Sequence, residues 1–125
     1  MIEKVTSEKA PRPVGPYSQA IKAGEFLFIS AQLGLDPSTS SLPPHLEDQA
    51  RQVLLNIQVI LEEAEIGWND VVKVSLYVVD LSYLAKVNDI YAELLGEAKP
   101  ARSSIVVGSL PRNALIAMDA IAYLS

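Results

Sequence analysis

LEDQARQVLLNIQVILEEAEIGWNDVVKVSLYVVDLSYLAKVNDIYAELLG, residues 46–96, changes hydrophobic period twice and thereby decides the fold. From Leu46 to Glu65 the apolar residues Leu46, Ala50, Val53, Leu54, Ile57, Leu61 and Ala64 recur at helical spacing, while Glu47, Asp48, Arg51, Gln52, Glu62 and Glu63 fall mostly elsewhere. This pattern predicts an amphipathic helix of about five turns. It stops near Gly67. Val71 to Val79 is rich in β-branched residues and reads as a buried strand. Ser82 is then placed to cap a second helix, Tyr83 to Leu95, which Gly96 ends.

Upstream, Ala10-Pro11-Arg12-Pro13-Val14-Gly15-Pro16 fixes φ at its prolines and removes backbone donors, so it must be rigid and irregular. Tyr17 to Ala23 reads as a strand, Gly24-Glu25 as a tight turn, and the apolar run Phe26 to Ile29 as the returning strand of a hairpin ending at Ser30. Asp36 to Pro44 is dense in turn formers and forms a surface loop. Downstream, Lys99-Pro100 punctuates the chain. Two last strands follow, Arg102 to Val107 and Leu115 to Leu124, joined by a turn at Pro111-Arg112-Asn113. Strands, helix, strand, helix and strands in one domain, 1–125, give an α+β layer with both helices covering one face of a mixed sheet.

Half of the 125 residues are hydrophobic, 20% are charged, and the mean hydropathy is +0.23. That is more apolar material than a small monomer hides comfortably. Lys73, Asp80, Arg112 and Asp119 interrupt the long apolar stretches, so none reaches the roughly 18 residues of a membrane span. The surplus points to an oligomer interface. A net charge of −5, from 10 basic and 15 acidic residues, and a pI of about 4.8 disfavour nucleic acid as a partner. With no cysteine, disulfides, thiolate metal sites and thiol catalysis are excluded. Residues 1–6 carry neither a secretory nor a transit pattern, so a cytoplasmic location is expected.

His45, the only histidine, reads as an exposed helix-start residue without the partners of a metal site or triad. There is no H-E-x-x-H, G-x-S-x-G or P-loop, and Gly15, Gly24 and Gly34 are too widely spaced for a dinucleotide fingerprint. No metal or organic cofactor is expected. Chemistry must then run on hydroxyls, carboxylates, a guanidinium and water. Arg102, at the mouth of an apolar strand, is either a rim ion pair or a planar fork for a carboxylate. Tyr17 and Ser30 offer hydroxyls at opposite ends of the hairpin, and Asn88 lies on the second helix. Glu62, Glu63 and Glu65 read as a solvated helix face.

Several segments together resemble the RidA (YjgF, L-PSP) family. They are Gly15-Pro16-Tyr17-Ser18-Gln19-Ala20, Ile29-Ser30-Ala31-Gln32 before Asp36-Pro37, Gln49-Ala50-Arg51-Gln52-Val53-Leu54 with Asn56-Ile57, Asp70-Val71-Val72-Lys73, Val87-Asn88-Asp89-Ile90-Tyr91, Pro100-Ala101-Arg102-Ser103 and Ala120-Ile121-Ala122. They come in the family's order and span almost the whole chain. The resemblance implies a fold like Bacillus-type chorismate mutase, with a sheet of about six strands covered by two helices. It implies a homotrimer whose sheets form a barrel, with ligand clefts between subunits. The implied activity is cofactor-free hydrolysis of 2-imino and 2-enamino acids to 2-oxo acids and ammonia. Arg102 would hold the substrate carboxylate. Tyr17, Ser30, Ala31, Asn88 and Ser104 would line or support the cleft, and Ala117 would lie at it.

Three positions depart from the family pattern. Ala117 stands where the last strand usually carries a water-positioning glutamate, and Asp119, two residues on, keeps the second acidic position as a substitute acid or base. Ala31 replaces the glycine of a Ser-Gly-Gln motif, and Ser104 replaces a frequent cysteine. The expectation is therefore a RidA-type imine deaminase. A weak or inactive trimer that binds a 2-oxo acid, or serves as a scaffold, is the alternative. The ribonuclease or translation-inhibitor role ascribed to some relatives fits the acidic surface less well.

Overall fold

The computed structural model describes residues 2–125. Its six strands are β1 (Ile2–Val5), β2 (Ala20–Ala23), β3 (Phe26–Leu33), β4 (Val71–Val78), β5 (Ala101–Val106) and β6 (Ile116–Tyr123); the helices are α1 (Leu46–Glu63) and α2 (Leu84–Leu95). The sheet runs β1-β2-β3-β6-β4-β5 and is antiparallel except for β4 and β5, which pair in parallel. Because β6 is antiparallel to both β3 and β4, those two strands run parallel. Both helices are therefore crossovers, and crossovers of this length are what parallel strands require.

Alternation along the strands sorts the side chains into two layers. Leu27, Ile29, Val74, Leu76, Val78, Met118, Ala120 and Ala122 are buried on the face that meets the helices. From α1, Ala50, Val53, Leu54, Ile57, Ile60 and Leu61 close on them, and Val87, Ile90 and Leu95 do so from α2. The opposite face has no cover within the chain. Phe26 and Tyr123 meet edge to face there, with centroids 5.6 Å apart. Phe26, Phe28, Ile105 and Tyr123 are each 39–45% exposed. Part of the apolar surplus thus sits on this open face of the sheet.

Buried amides pin the loops to this frame. Gln19 accepts from Ser7 N at 2.7 Å and donates to Ser7 O at 3.1 Å and Pro11 O at 2.9 Å. Asn56 of α1 donates to Leu33 O at 3.1 Å and Leu35 O at 3.0 Å, and Gln49 donates to Pro43 O at 2.8 Å while accepting from Leu115 N at 2.9 Å.

Several boundaries differ from the sequence reading. The first strand of the hairpin starts at Ala20, because residues 17–19 bend to carry the Gln19 contacts. An extra edge strand, β1, pairs with it. Helix α1 ends at Glu63, and Glu65 takes a positive φ of 62°. Ser82 does not cap α2, whose N-cap is Tyr83 without a side-chain capping bond; Asp80 caps the short 3-10 turn before it, Leu81–Tyr83, accepting from Ser82 N at 2.9 Å and Ser82 Oγ at 2.7 Å. His45 does precede α1, exposed and without a side-chain capping bond. Glu62, Glu63 and Glu65 are exposed as expected.

Candidate functional site

Arg102 is positioned by register. It pairs with Val74 and Ser104 with Leu76, so both side chains project from the helix-facing side of β5 toward α2. Asn88 and Tyr91, one turn apart on α2, meet them. Arg102 Nε donates to Ser104 Oγ at 3.1 Å and Nη2 donates to Asn88 Oδ1 at 2.6 Å. Its Cζ lies 4.8 Å from the centroid of the Tyr91 ring. Both hydrogens on Nη1 and one on Nη2 are left without acceptors, a planar edge suited to an incoming carboxylate. The Tyr91 hydroxyl is buried without a hydrogen-bond partner. Burial raises its pKa, and the nearby Arg102 charge only partly opposes this.

Tyr17, Ser30 and Ala31 form a separate group. Between Ile29 and Gln32 the register of β3 against β6 shifts, so residues 30 and 31 bulge from the ladder. Ser30 Oγ donates to Ser18 O at 2.6 Å and Ser30 N donates to Gln19 O at 2.9 Å. The hydroxyl proton is committed, so Ser30 is left an acceptor rather than a donor. Tyr17 is 48% exposed, and Ala31 is exposed. Both border a depression shared with Arg12, Val14 and Leu33.

These two groups do not meet within one chain. β6 and β4 lie between β3 and β5, a separation of about 14 Å at the usual strand spacing. Ala117 and Asp119 belong to neither group. Arg102 shares a face with Val74 and Ala120, so residues 117 and 119 project from the opposite, uncovered face. Ala117 is 2% exposed between Leu33 and Tyr77. Asp119 accepts from Tyr77 Oη at 2.9 Å, and this bond raises the Tyr77 pKa. On the same face Lys73 Nζ donates to Ser103 Oγ at 2.6 Å.

Sequence reasoning missed Tyr91 as a contact of Arg102. The signal for Tyr91 was its spacing of three from Asn88, which puts both on one helix face. Among the described residues, no group of histidine and acidic side chains is arranged to hold a metal ion, and no helix is long and apolar enough to cross a membrane.

Fold and site together define a small α+β chain with a six-stranded sheet, two covering helices and a guanidinium fixed against Ser104, Asn88 and Tyr91. The family model described as Endoribonuclease L-PSP matches residues 7–124, and the chain belongs to that family, which includes the RutC and RidA proteins. It is 52% identical over 124 residues to a RutC family protein of Pyrococcus horikoshii, covering 98% of each chain. It is 44% identical over 123 residues to the Reactive Intermediate Deaminase A, chloroplastic, of Arabidopsis thaliana, covering 98% of this chain and 66% of that one. Among solved structures it resembles TdcF of E. coli with bound serine, with a TM-score of 0.95, 31% identity and coverage of 98% and 99%.

Proposed function

We propose that the chain is a cytoplasmic, cofactor-free deaminase of the RidA type. It hydrolyses 2-imino and 2-enamino acids to 2-oxo acids and ammonia in a cleft between subunits of a homotrimer. The arrangement of Arg102 carries this reading: its Nε and Nη2 are tied to Ser104 and Asn88, and its Nη1 edge is open. Joining subunits through the uncovered sheet face accounts for Phe26, Phe28, Ile105 and Tyr123. It also supplies the second group, Tyr17, Ser30 and Ala31, from a neighbouring chain. The serine bound to TdcF is an amino acid of the size and charge this cleft would take.

Arg102 fixes the substrate carboxylate and so holds C2 for attack. Water adds to C2 of the protonated imine, forming a C–O bond while the C=N electron pair moves to nitrogen. Proton transfer from oxygen to nitrogen gives a tetrahedral ammonium; the C–N pair then leaves with ammonia as the hydroxyl oxygen forms the carbonyl, and the hydroxyl proton passes through water to the released ammonia. No side-chain carboxylate stands at position 117 to orient that water, and Asp119 is held by Tyr77. Turnover then depends on the intrinsic lability of the imine, and is slow.

A second reading, binding of a 2-oxo acid without turnover, is favoured by this same Ala117. The deciding experiment generates 2-iminobutanoate in place with a threonine dehydratase and follows 2-oxobutanoate release. The deaminase reading expects acceleration that Arg102→Ala abolishes. No acceleration at stoichiometric protein, with 2-oxobutanoate still bound, decides for the second.

A further inference from the structure

We propose that the cleft is tuned to 2-imino and 2-oxo acids bearing a second, distal carboxylate, and that Arg12 is the residue that takes it. This rests on the reading above, in which Arg102 of one chain and the Tyr17 group of its neighbour share a ligand.

Arg12 is set between Pro11 and Pro13, whose rings fix their own φ and stiffen the backbone on both sides. Gln19 anchors that segment through Pro11 O at 2.9 Å. The base of the side chain is therefore held while its exposed head is free to meet a ligand. The other arginines already have acceptors. Arg51 grips Glu93 with two bonds of 2.7 and 3.0 Å, Arg102 reaches Ser104 and Asn88, and Arg112 donates to Ser40 O at 3.0 Å. Among the described residues Arg12 donates to nothing.

It borders the same depression as Tyr17 and Ala31, and no acid lines that depression. Asp36, just beyond Leu35, is turned away onto Ser38 N at 2.8 Å and Ser38 Oγ at 2.6 Å. Glu8 shares the adjoining groove with Arg12 but forms no ion pair with it. Position 117, opposite Leu33 on the wall of the depression, is an alanine. The Tyr17 group thus carries a rigidly based, uncompensated planar cation. A monocarboxylate satisfies Arg102 and leaves Arg12 idle, whereas a ligand with a distal carboxylate offers Arg12 an acceptor of its own.

Calorimetric titration of the full-length protein with 2-oxoglutarate and 2-oxopentanoate, five-carbon acids that differ by the distal carboxylate, tests this. The expected result is at least tenfold tighter binding of 2-oxoglutarate. Arg12→Gln should bring the two ligands within about twofold of each other, Arg12→Lys should restore part of the preference, and Arg102→Ala should weaken both. Equal affinities in the parent protein, or a preference that survives Arg12→Gln, would overturn the assignment of Arg12 while leaving the deaminase reading intact. If neither acid binds, the carboxylate cleft itself falls, and this inference falls with it.

Discussion

The Arg102 guanidinium lies over the ring of Tyr91, with Cζ 4.8 Å from the ring centroid, while the Tyr91 hydroxyl meets no hydrogen-bond partner. The ring, and not the hydroxyl, does the positioning. Tyr91→Phe should leave 2-oxobutanoate affinity within about twofold, because it deletes an unpaired group. Tyr91→Leu removes the cation–π contact, about 0.5–2 kcal/mol, and should weaken binding about two- to thirtyfold by calorimetry. Equal losses in both variants would show that the hydroxyl matters after all.

Gly34 follows β3, where the chain passes against α1. A Cβ built there meets the backbone of Gln49 at 2.6 Å to its oxygen and 2.8 Å to its Cα. Neither atom is the end of a flexible side chain, so the contact is relieved only by moving the helix or the strand end. Gly34→Ala should destabilise the protein by about 1–3 kcal/mol, seen as a lower midpoint in urea. Gly67→Ala, with nothing within 4 Å of the added carbon, is the matched control.

The layer architecture was legible because Val53, Leu54, Ile57 and Leu61 keep a helical period and the stretch from Val71 to Val79 is rich in β-branched residues. The polar residues inside those patterns were not. Gln49 and Asn56 fall within the predicted helix, yet both are buried and hold loop backbone. Local periodicity does not say which amide will meet a carbonyl far along the chain. β1 is only Ile-Glu-Lys-Val, too short to signal a strand without its partner β2. Arg102 stood out as a charge entering an apolar strand. Its distance from Tyr17, and the opposite orientation of Asp119, follow from strand order and parity, which depend on β6 inserting between β3 and β4.

Ala117 occupies the position from which a carboxylate would orient water in the proposed reaction. Ala117→Glu should raise the rate of 2-iminobutanoate hydrolysis by about tenfold or more, within the range a positioned general base supplies, with a smaller change in KM. The site is 2% exposed between Leu33 and Tyr77, so the new carboxyl starts partly desolvated. Its pKa should be raised, the gain should fade as pH falls through that value, and thermal stability should drop. A variant that folds, binds 2-oxobutanoate and is no faster would show that the missing glutamate is not what limits turnover.

Tyr77 and Asp119 should make stability sensitive to alkaline pH through the uncovered face. The Asp119 carboxylate accepts the phenol hydrogen at 2.9 Å, and this bond, with some burial and the carboxylate charge, raises the phenol pKa above its ordinary 10.0. A phenol raised in the folded state holds its proton longer there than in the unfolded chain. Its contribution is complete below the unfolded pKa and is lost as pH rises through the folded one. Melting temperature should therefore fall above about pH 10 in the parent protein, as ionisation of Tyr77 breaks the bond and sets two anions side by side. Tyr77→Phe should melt lower at pH 8 and fall less steeply between pH 9 and pH 11. An unchanged alkaline slope in that variant would place the pH sensitivity on another residue.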